Sequence, residues 1–174
     1  YTEAEHAPTM GQWASVVRGA TASLPKGTTV MVEPGRSIVA SAAVTVYTVG
    51  TIKEIPNVRD YVAVDGGMSD NLRPMLYGAS YEAFMPAHPT AVRSRPVRLV
   101  GKHCESGDIL IDEAHVPTEL SVGDLLAVPV TGGYGYSMAS NYNMVTRPAV
   151  VFVENGCSRI VRRRESYADL VALD

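Results

Sequence analysis

Five consecutive residues, Cys104-Glu105-Ser106-Gly107-Asp108, put a thiol, two carboxylates and a hydroxyl on one glycine-bearing turn directly after His103. A thiol can deliver a proton and a carboxylate can pair with a cation. A lone cysteine is more often a small buried hydrophobe, so the polar turn around Cys104 is what draws attention to it. Glu33-Pro34-Gly35-Arg36 is a second cluster. Its glycine lets backbone N–H groups come close to an anion, and its arginine can hold a phosphate or carboxylate through two bonds. An ordinary turn with a solvated arginine fits the same spacing. Asp65-Gly66-Gly67-Met68 leads into Arg73 and Tyr77. On a helical turn these two share a face and could grip a carboxylate, or could form a plain surface pair. Thr131-Gly132-Gly133-Tyr134-Gly135-Tyr136 sets glycines around a tyrosine, which suits backbone lying against a cofactor or a simple hairpin. It lacks the strand-to-helix spacing of a dinucleotide fingerprint. Zinc ligation is disfavoured, because no second pair of ligands stands at suitable spacing and Cys157 and His115 are isolated and read as structural.

These clusters need elements to hold them. Thr9 and Gln12 form a capping-box pair, followed by Trp13, Val16 and Val17 at helical spacing, and Pro25 and Gly27 stop that helix. Residues 28–32 are β-branched and predict a short buried strand, so the opening resembles the end of a βαβ unit with sequence expected before Tyr1. Near residues 38–43 the pattern changes. Residues 44–53, 60–64, 81–85, 97–103, 125–129 and 149–154 predict strands, punctuated by Gly, Pro and Asn. The period of two is clearest in Val44-Thr45-Val46-Tyr47-Thr48-Val49. Residues 158–164 predict a last strand and 165–173 a short helix. The fold class expected is mainly β, an antiparallel sandwich or barrel with an N-terminal α/β remnant.

The 174 residues are 46% hydrophobic and 19% charged, the balance of a folded domain and not of a disordered tail. The net charge of −3 and the absence of a basic stripe argue against nucleic acid. Arg162-Arg163-Arg164 reads as a solvated strand end. No apolar run is long enough for a membrane helix, and no secretory signal is visible. Two cysteines make no disulfide framework, which points to a reducing cytoplasm.

Taken in order, the four clusters resemble the fold-type III pyridoxal-phosphate decarboxylases, and most closely the branch that acts on diaminopimelate. The features are Glu33-Pro34-Gly35-Arg36, Arg73-Pro74 with Leu76-Tyr77, Cys104-Glu105-Ser106-Gly107-Asp108, and Gly133-Tyr134-Gly135 followed by Met138-Ala139-Ser140-Asn141-Tyr142-Asn143. The third is the most specific. The resemblance covers essentially the whole chain and implies the C-terminal end of a protein more than twice as long. It implies that residues 1–40 end a (β/α)8 barrel and that 41–174 form a C-terminal antiparallel β domain. The Schiff-base lysine of pyridoxal 5'-phosphate would lie upstream, since Lys26, Lys53 and Lys102 match no part of the family's lysine motif. It further implies that Glu33, Pro34, Gly35, Arg36 and Tyr134 contact the cofactor, and that Arg36, Arg73, Tyr77, Glu105 and Tyr134 bind the amino-acid substrate. Cys104 would be the proton donor. The family is a homodimer in which the Cys104–Glu105 turn serves the partner's site, so the chain alone is expected to be inactive. Competing readings are a decarboxylase of ornithine, arginine or a polyamine precursor, a racemase of the same fold type, and a non-catalytic β domain.

Overall fold

The computed structural model describes residues 2–174. Tyr1 lies outside the described residues. Helix α1 spans Met10–Thr21 and starts as its sequence demands. The Thr9 hydroxyl accepts the Gln12 N–H at 3.2 Å, and the Gln12 side chain accepts the Thr9 N–H at 2.8 Å. Two of the first-turn donors that a helix leaves without partners are thereby satisfied. Residues 28–32 form no strand: no ladder pairs them, and Val30, Met31 and Val32 are exposed. β-branched side chains favour extended backbone, but a strand also needs a neighbour for its N–H and C=O groups. A five-residue helix, α2 (Gly35–Val39), and a 3-10 turn at Ala40–Ala42 then lead into the sheet.

Five strands form that sheet: β1 (Val44–Ile55), β2 (Arg59–Val64), β3 (Arg95–Val100), β4 (Ile109–Val116) and β5 (Leu125–Pro129). Their order is β4-β3-β2-β1-β5. The class is strand-rich as expected, and the sheet curls into a half-barrel. It is mixed, not purely antiparallel, because β2 and β3 run parallel with Ala63 opposite Val100. β4 was not legible from sequence. Its exposure alternates poorly around Asp112 and Glu113, which are both exposed, and its pairing with β3 is irregular. Residues 81–85 were expected as a strand. They make only an isolated bridge, Phe84 to Ala127, and run through the interior with Tyr81, Ala83 and Met85 buried.

The core is the concave face of the sheet closed by that inner segment. Tyr47 and Val49 of β1, Val62 and Val64 of β2, Leu99 of β3, Leu110 and Val116 of β4 and Leu126 of β5 are all buried there. β1 keeps its period of two, but Tyr47 and Val49 take the inside while Val44 and Val46 stay half exposed. The tyrosine ring carries more apolar area than a valine, so its burial sets the face. The remaining strands, β6 (Val150–Glu154) and β7 (Cys157–Arg162), form a separate two-stranded ribbon. The short helices α3 (Arg73–Tyr77), α4 (Gly135–Met138) and α5 (Tyr167–Leu170) lie in connections, and α5 begins with a Ser166–Asp169 capping box.

Parallel strands need a long crossover, here the thirty residues 65–94, and their C-terminal ends lie side by side. β1 runs antiparallel to both β2 and β5, so its beginning sits at the same end of the sheet as their ends. That end therefore collects α2, the Gly66–Asp70 turn with α3, the 101–108 turn and the 130–136 loop.

Candidate functional site

The sequence-predicted residues fall into two groups at this end of the sheet. The first is built from three segments. The β5 extension docks on the segment before β1: the Thr131 N–H donates to the Ala43 carbonyl at 3.2 Å, and the Gly132 N–H to the Ala40 carbonyl at 2.9 Å. A methyl group at Gly132 would overlap the Val39 carbonyl, and one at Gly133 would stand 3.0 Å from Arg36 Cγ. Two glycines thus let the loop press against α2, and Arg36 lies on Gly133. The next residue, Tyr134, takes a left-handed backbone with φ +67° and starts α4. The loop is a turn into a short helix and not a hairpin. A non-glycine residue in this region is uncommon and is held here by the docking on either side.

Arg73 completes the group. Its guanidinium stands 5.0 Å from the centroid of the Tyr77 ring and 5.4 Å from that of Tyr134. The i, i+4 spacing of Arg73 and Tyr77 produces the helical face expected of it, and α3 ends at Gly78 in the left-handed conformation with φ +60°. Tyr77 and Tyr134 remain more than half exposed. The arginine is stacked, so its fork points in a fixed direction, which a lysine in its place would not provide.

The second group is the turn after β3. Cys104 and Glu105 are exposed, and Cys104 is a free thiol. Ser106 Oγ donates to Glu105 at 3.4 Å. His103 and Asp108 are buried beneath them. His103 Nε2 and Ser69 Oγ are 2.9 Å apart, and the imidazole lies 5.5 Å from the Tyr142 ring. This turn is adjacent to α3 through Gly107, where a methyl would stand 3.5 Å from the Met75 methyl. The structure therefore brings Arg73 to Tyr77 and Tyr134, sets Arg36 against the neighbouring Gly133, and anchors Cys104 and Glu105 through a different set of contacts. Glu33 and Pro34 precede α2, where Ser37 Oγ donates to the Pro34 carbonyl at 2.7 Å.

Several contributors were not singled out from sequence. Asp70 accepts the Gly67 N–H at 2.9 Å and shapes the turn before α3. Burial, with a further push from Asp108, raises its carboxyl to about 6, against the pull of backbone hydrogen bonds at Gly67 and Asn71. Tyr47 lies beside it and is fully buried, so burial and the Asp70 charge hold its phenol well above the ordinary range. Glu165 fastens the far end of the 138–147 segment by accepting the Arg147 N–H at 2.8 Å and the Asn141 amide at 2.6 Å, and these bonds hold its carboxyl below the usual range. Glycine doublets beside aspartates were the available signal for Asp70. Nothing in the local sequence marks Glu165. Among the described residues no helix is long and apolar enough to cross a membrane, and no group of three His, Cys, Asp or Glu side chains could hold a metal ion.

The structure defines a strand-rich domain whose candidate functional residues sit on loops at one end of a half-barrel. Comparison with known proteins gives the family. Residues 17–132 match the model of the pyridoxal-dependent decarboxylase C-terminal sheet domain. The diaminopimelate decarboxylase of Bacillus subtilis is 57% identical over 145 residues, which are 83% of this chain and 33% of that protein. The diaminopimelate decarboxylase of M. jannaschi superposes with a TM-score of 0.88 at 33% identity, over 100% of this chain and 40% of that one. The Helicobacter pylori diaminopimelate decarboxylase, solved with L-lysine, gives a TM-score of 0.84 at 36% identity, over 98% of this chain and 41% of that one. The chain belongs to the pyridoxal-dependent decarboxylases, as their C-terminal sheet domain. It spans about a third of the length of the curated relatives it matches.

Proposed function

We propose that this chain is the C-terminal part of a decarboxylase that converts meso-2,6-diaminopimelate to L-lysine and carbon dioxide. The observation that carries the reading is the fixed position of Arg73 against Tyr77 and Tyr134, beside the Gly133–Arg36 contact. Arg73 held this way, with the Arg36 stem against Gly133, suits a carboxylate remote from the reacting carbon, and Glu105 supplies an anion for the ammonium on the same carbon. A substrate with a zwitterion at its far end uses both. Ornithine has no distal carboxylate and forgoes the contact with the arginines that a site built for one supplies.

Pyridoxal phosphate, when bound, supplies the electron sink that accepts the pair left as carbon dioxide departs. The residues present fit its company. Gly35 has open space where a side chain would stand, which admits a phosphate against the start of α2, and Tyr134 keeps a half-exposed ring beside that region. Glu33, Pro34 and Arg36 frame the same turn. This chain's own part in the reaction is to orient the far end of the substrate through Arg36, Arg73 and Tyr77, and to return a proton. Cys104 Sγ–H is the donor in this reading: the C–C bond to the carboxylate breaks, and the same carbon takes the thiol proton. We place the boundary between barrel remnant and sheet domain near residue 40, and we read the complete enzyme as a cytoplasmic homodimer in which Cys104 and Glu105 serve the partner's site. A panel of meso-diaminopimelate, lysine, ornithine and arginine, assayed for carbon dioxide release by the complete enzyme, tests the substrate. Preferred turnover of diaminopimelate is expected, and a higher kcat/KM for ornithine or arginine would overturn the reading.

A further inference from the structure

The turn that carries Cys104 and Glu105 is closed from within by one buried side chain. Asp108 is 3% exposed. One of its oxygens accepts the Met68 N–H at 2.6 Å, across forty residues of sequence. The other accepts the His103 N–H at 2.8 Å, within the turn itself. Backbone bonds set the frame: the Gly101 N–H donates to the Asp108 carbonyl at 2.9 Å, and the Asp108 N–H to the Glu105 carbonyl at 3.1 Å. Space for the carboxylate exists only because two neighbours lack side chains. A methyl at Gly101 would collide with it, and a methyl at Gly67 would stand 2.6 Å from Oδ1. A buried carboxylate needs donors, and both oxygens have one here.

The arrangement on the other side of the clamp is different. The turn from Gly67 to Asn71 closes without Asp108, through Asp70 on the Gly67 N–H and the Asn71 N–H on the Gly67 carbonyl at 3.0 Å. α3, with Arg73 and Tyr77, therefore has its own support. The Cys104 turn has Asp108 and the His103–Ser69 contact. We infer that Asp108 is the positioning residue for Cys104 and Glu105: its carboxylate pins their turn to the Met68 N–H in the turn after β2, while that turn keeps closing bonds of its own through Asp70 and Asn71. The inference rests on the proposed reading of Cys104 only for its consequence in catalysis, and not for the geometry.

The test uses the complete enzyme with Asp108→Asn, which keeps one acceptor and turns an amide donor toward a backbone N–H. Asp124→Asn is the comparison, since Asp124 likewise accepts a backbone N–H, that of Ser121 at 2.8 Å, in an exposed turn. The first readout is the kcat and KM pair. The second is the rate at which iodoacetamide alkylates Cys104 in the cofactor-free enzyme, measured across pH by mass spectrometry against the exposed Cys157. Small displacements of a reacting group carry large rate penalties, so Asp108→Asn is expected to lower kcat about tenfold or more with KM changed less than about threefold. The Cys104/Cys157 alkylation ratio is expected to shift by about threefold or more, and Asp124→Asn to alter neither readout. An unchanged alkylation ratio overturns the inference, as does a KM that rises as steeply as kcat falls. A shifted ratio with parental kcat upholds the clamp and instead removes Cys104 from the proposed reaction. Should Asp108→Asn fail to fold, Ser69→Ala decides. It removes the second anchor and is expected to shift the ratio in the same direction, and no shift overturns the clamp.

Discussion

Replacing Gly132 by alanine separates a contact that the fold cannot relax from one that it can. Neither Gly132 nor Gly133 has a positive φ, so the effect of a methyl group there is one of space and not of backbone conformation. At 132 the methyl would overlap the Val39 carbonyl oxygen, stand 2.9 Å from its carbon and 3.1 Å from the Ala40 oxygen. All of these are backbone atoms, and the Gly132 N–H bond to Ala40 at 2.9 Å holds them in place. Overpacking of this kind costs about 1–3 kcal/mol and loss of the bond about 0.5–1.5 kcal/mol, so about 1.5–4.5 kcal/mol in total. For a domain of this size that lowers Tm by about 5–15 °C. At 133 the nearest atom is Arg36 Cγ at 3.0 Å, the middle of a flexible side chain. A rotamer adjustment there costs about 0.5–1.5 kcal/mol, offset by about 0.4–1 kcal/mol from the stiffer unfolded chain. Thermal unfolding of the 174-residue chain and its two variants, followed by far-UV circular dichroism, reads the difference directly. A Gly132→Ala transition within about 2 °C of the parent, or a Gly133→Ala variant that is the less stable of the two, would refute the docking argument.

Asp70 predicts a pH dependence of known sign. Its folded carboxyl titrates at about 6, above the ordinary 3.8, because burial disfavours the charge. The associated stability is present below the unfolded value and is lost as pH rises through about 6. Asp70→Asn keeps an acceptor for Gly67 and removes the charge. Its unfolding free energy should improve relative to the parent by about 1–3 kcal/mol between pH 4 and pH 7 in urea titrations. A constant difference across that range counts against a raised carboxyl. Arg73→Ala in the complete enzyme should lower diaminopimelate turnover by about 10–100-fold while cofactor affinity, read by absorbance titration, stays within about threefold. Equal losses in both would remove Arg73 from the substrate side of the site.

Part of the candidate site's geometry was legible because its contacts are local in sequence. The Arg73–Tyr77 pair needs only one helical turn to meet, and the Thr9–Gln12 box only the first turn of α1. What stayed hidden depends on distance along the chain. Asp108 looked like the end of an unusual motif until the parallel pairing of β2 and β3 brought Met68 to it. β4 lacks a clean period of two because Asp112 is drawn outward to Arg59 and Arg98 and Glu113 is exposed beside it. Residues 81–85 have strand composition but spend their apolar side chains on the inside of the half-barrel, where burial and not a ladder holds them. Residues 28–32 are rich in β-branched side chains but have neither a ladder partner nor an interior to fill.

The same topology accounts for the division of the site. Arg36, Arg73, Tyr77 and Tyr134 are held by neighbouring contacts: a guanidinium close to two rings, a glycine against an arginine, a loop tied back to the segment before β1. Such a set can keep its geometry through its own contacts. Cys104 and Glu105 are presented on an exposed turn whose rigidity comes from beneath, through Asp108 and His103. A group meant to complete a site formed largely by another surface needs this second design, because its final neighbours are not available to hold it beforehand. A rigid stalk under an exposed thiol and carboxylate is therefore the form expected if the turn reaches into the partner's site, as the proposed homodimer requires. The order of effects follows: loosening the stalk should weaken the proton-returning step and leave the grip on the distal carboxylate, whereas disturbing Gly132 should move Arg36 and Tyr134 together.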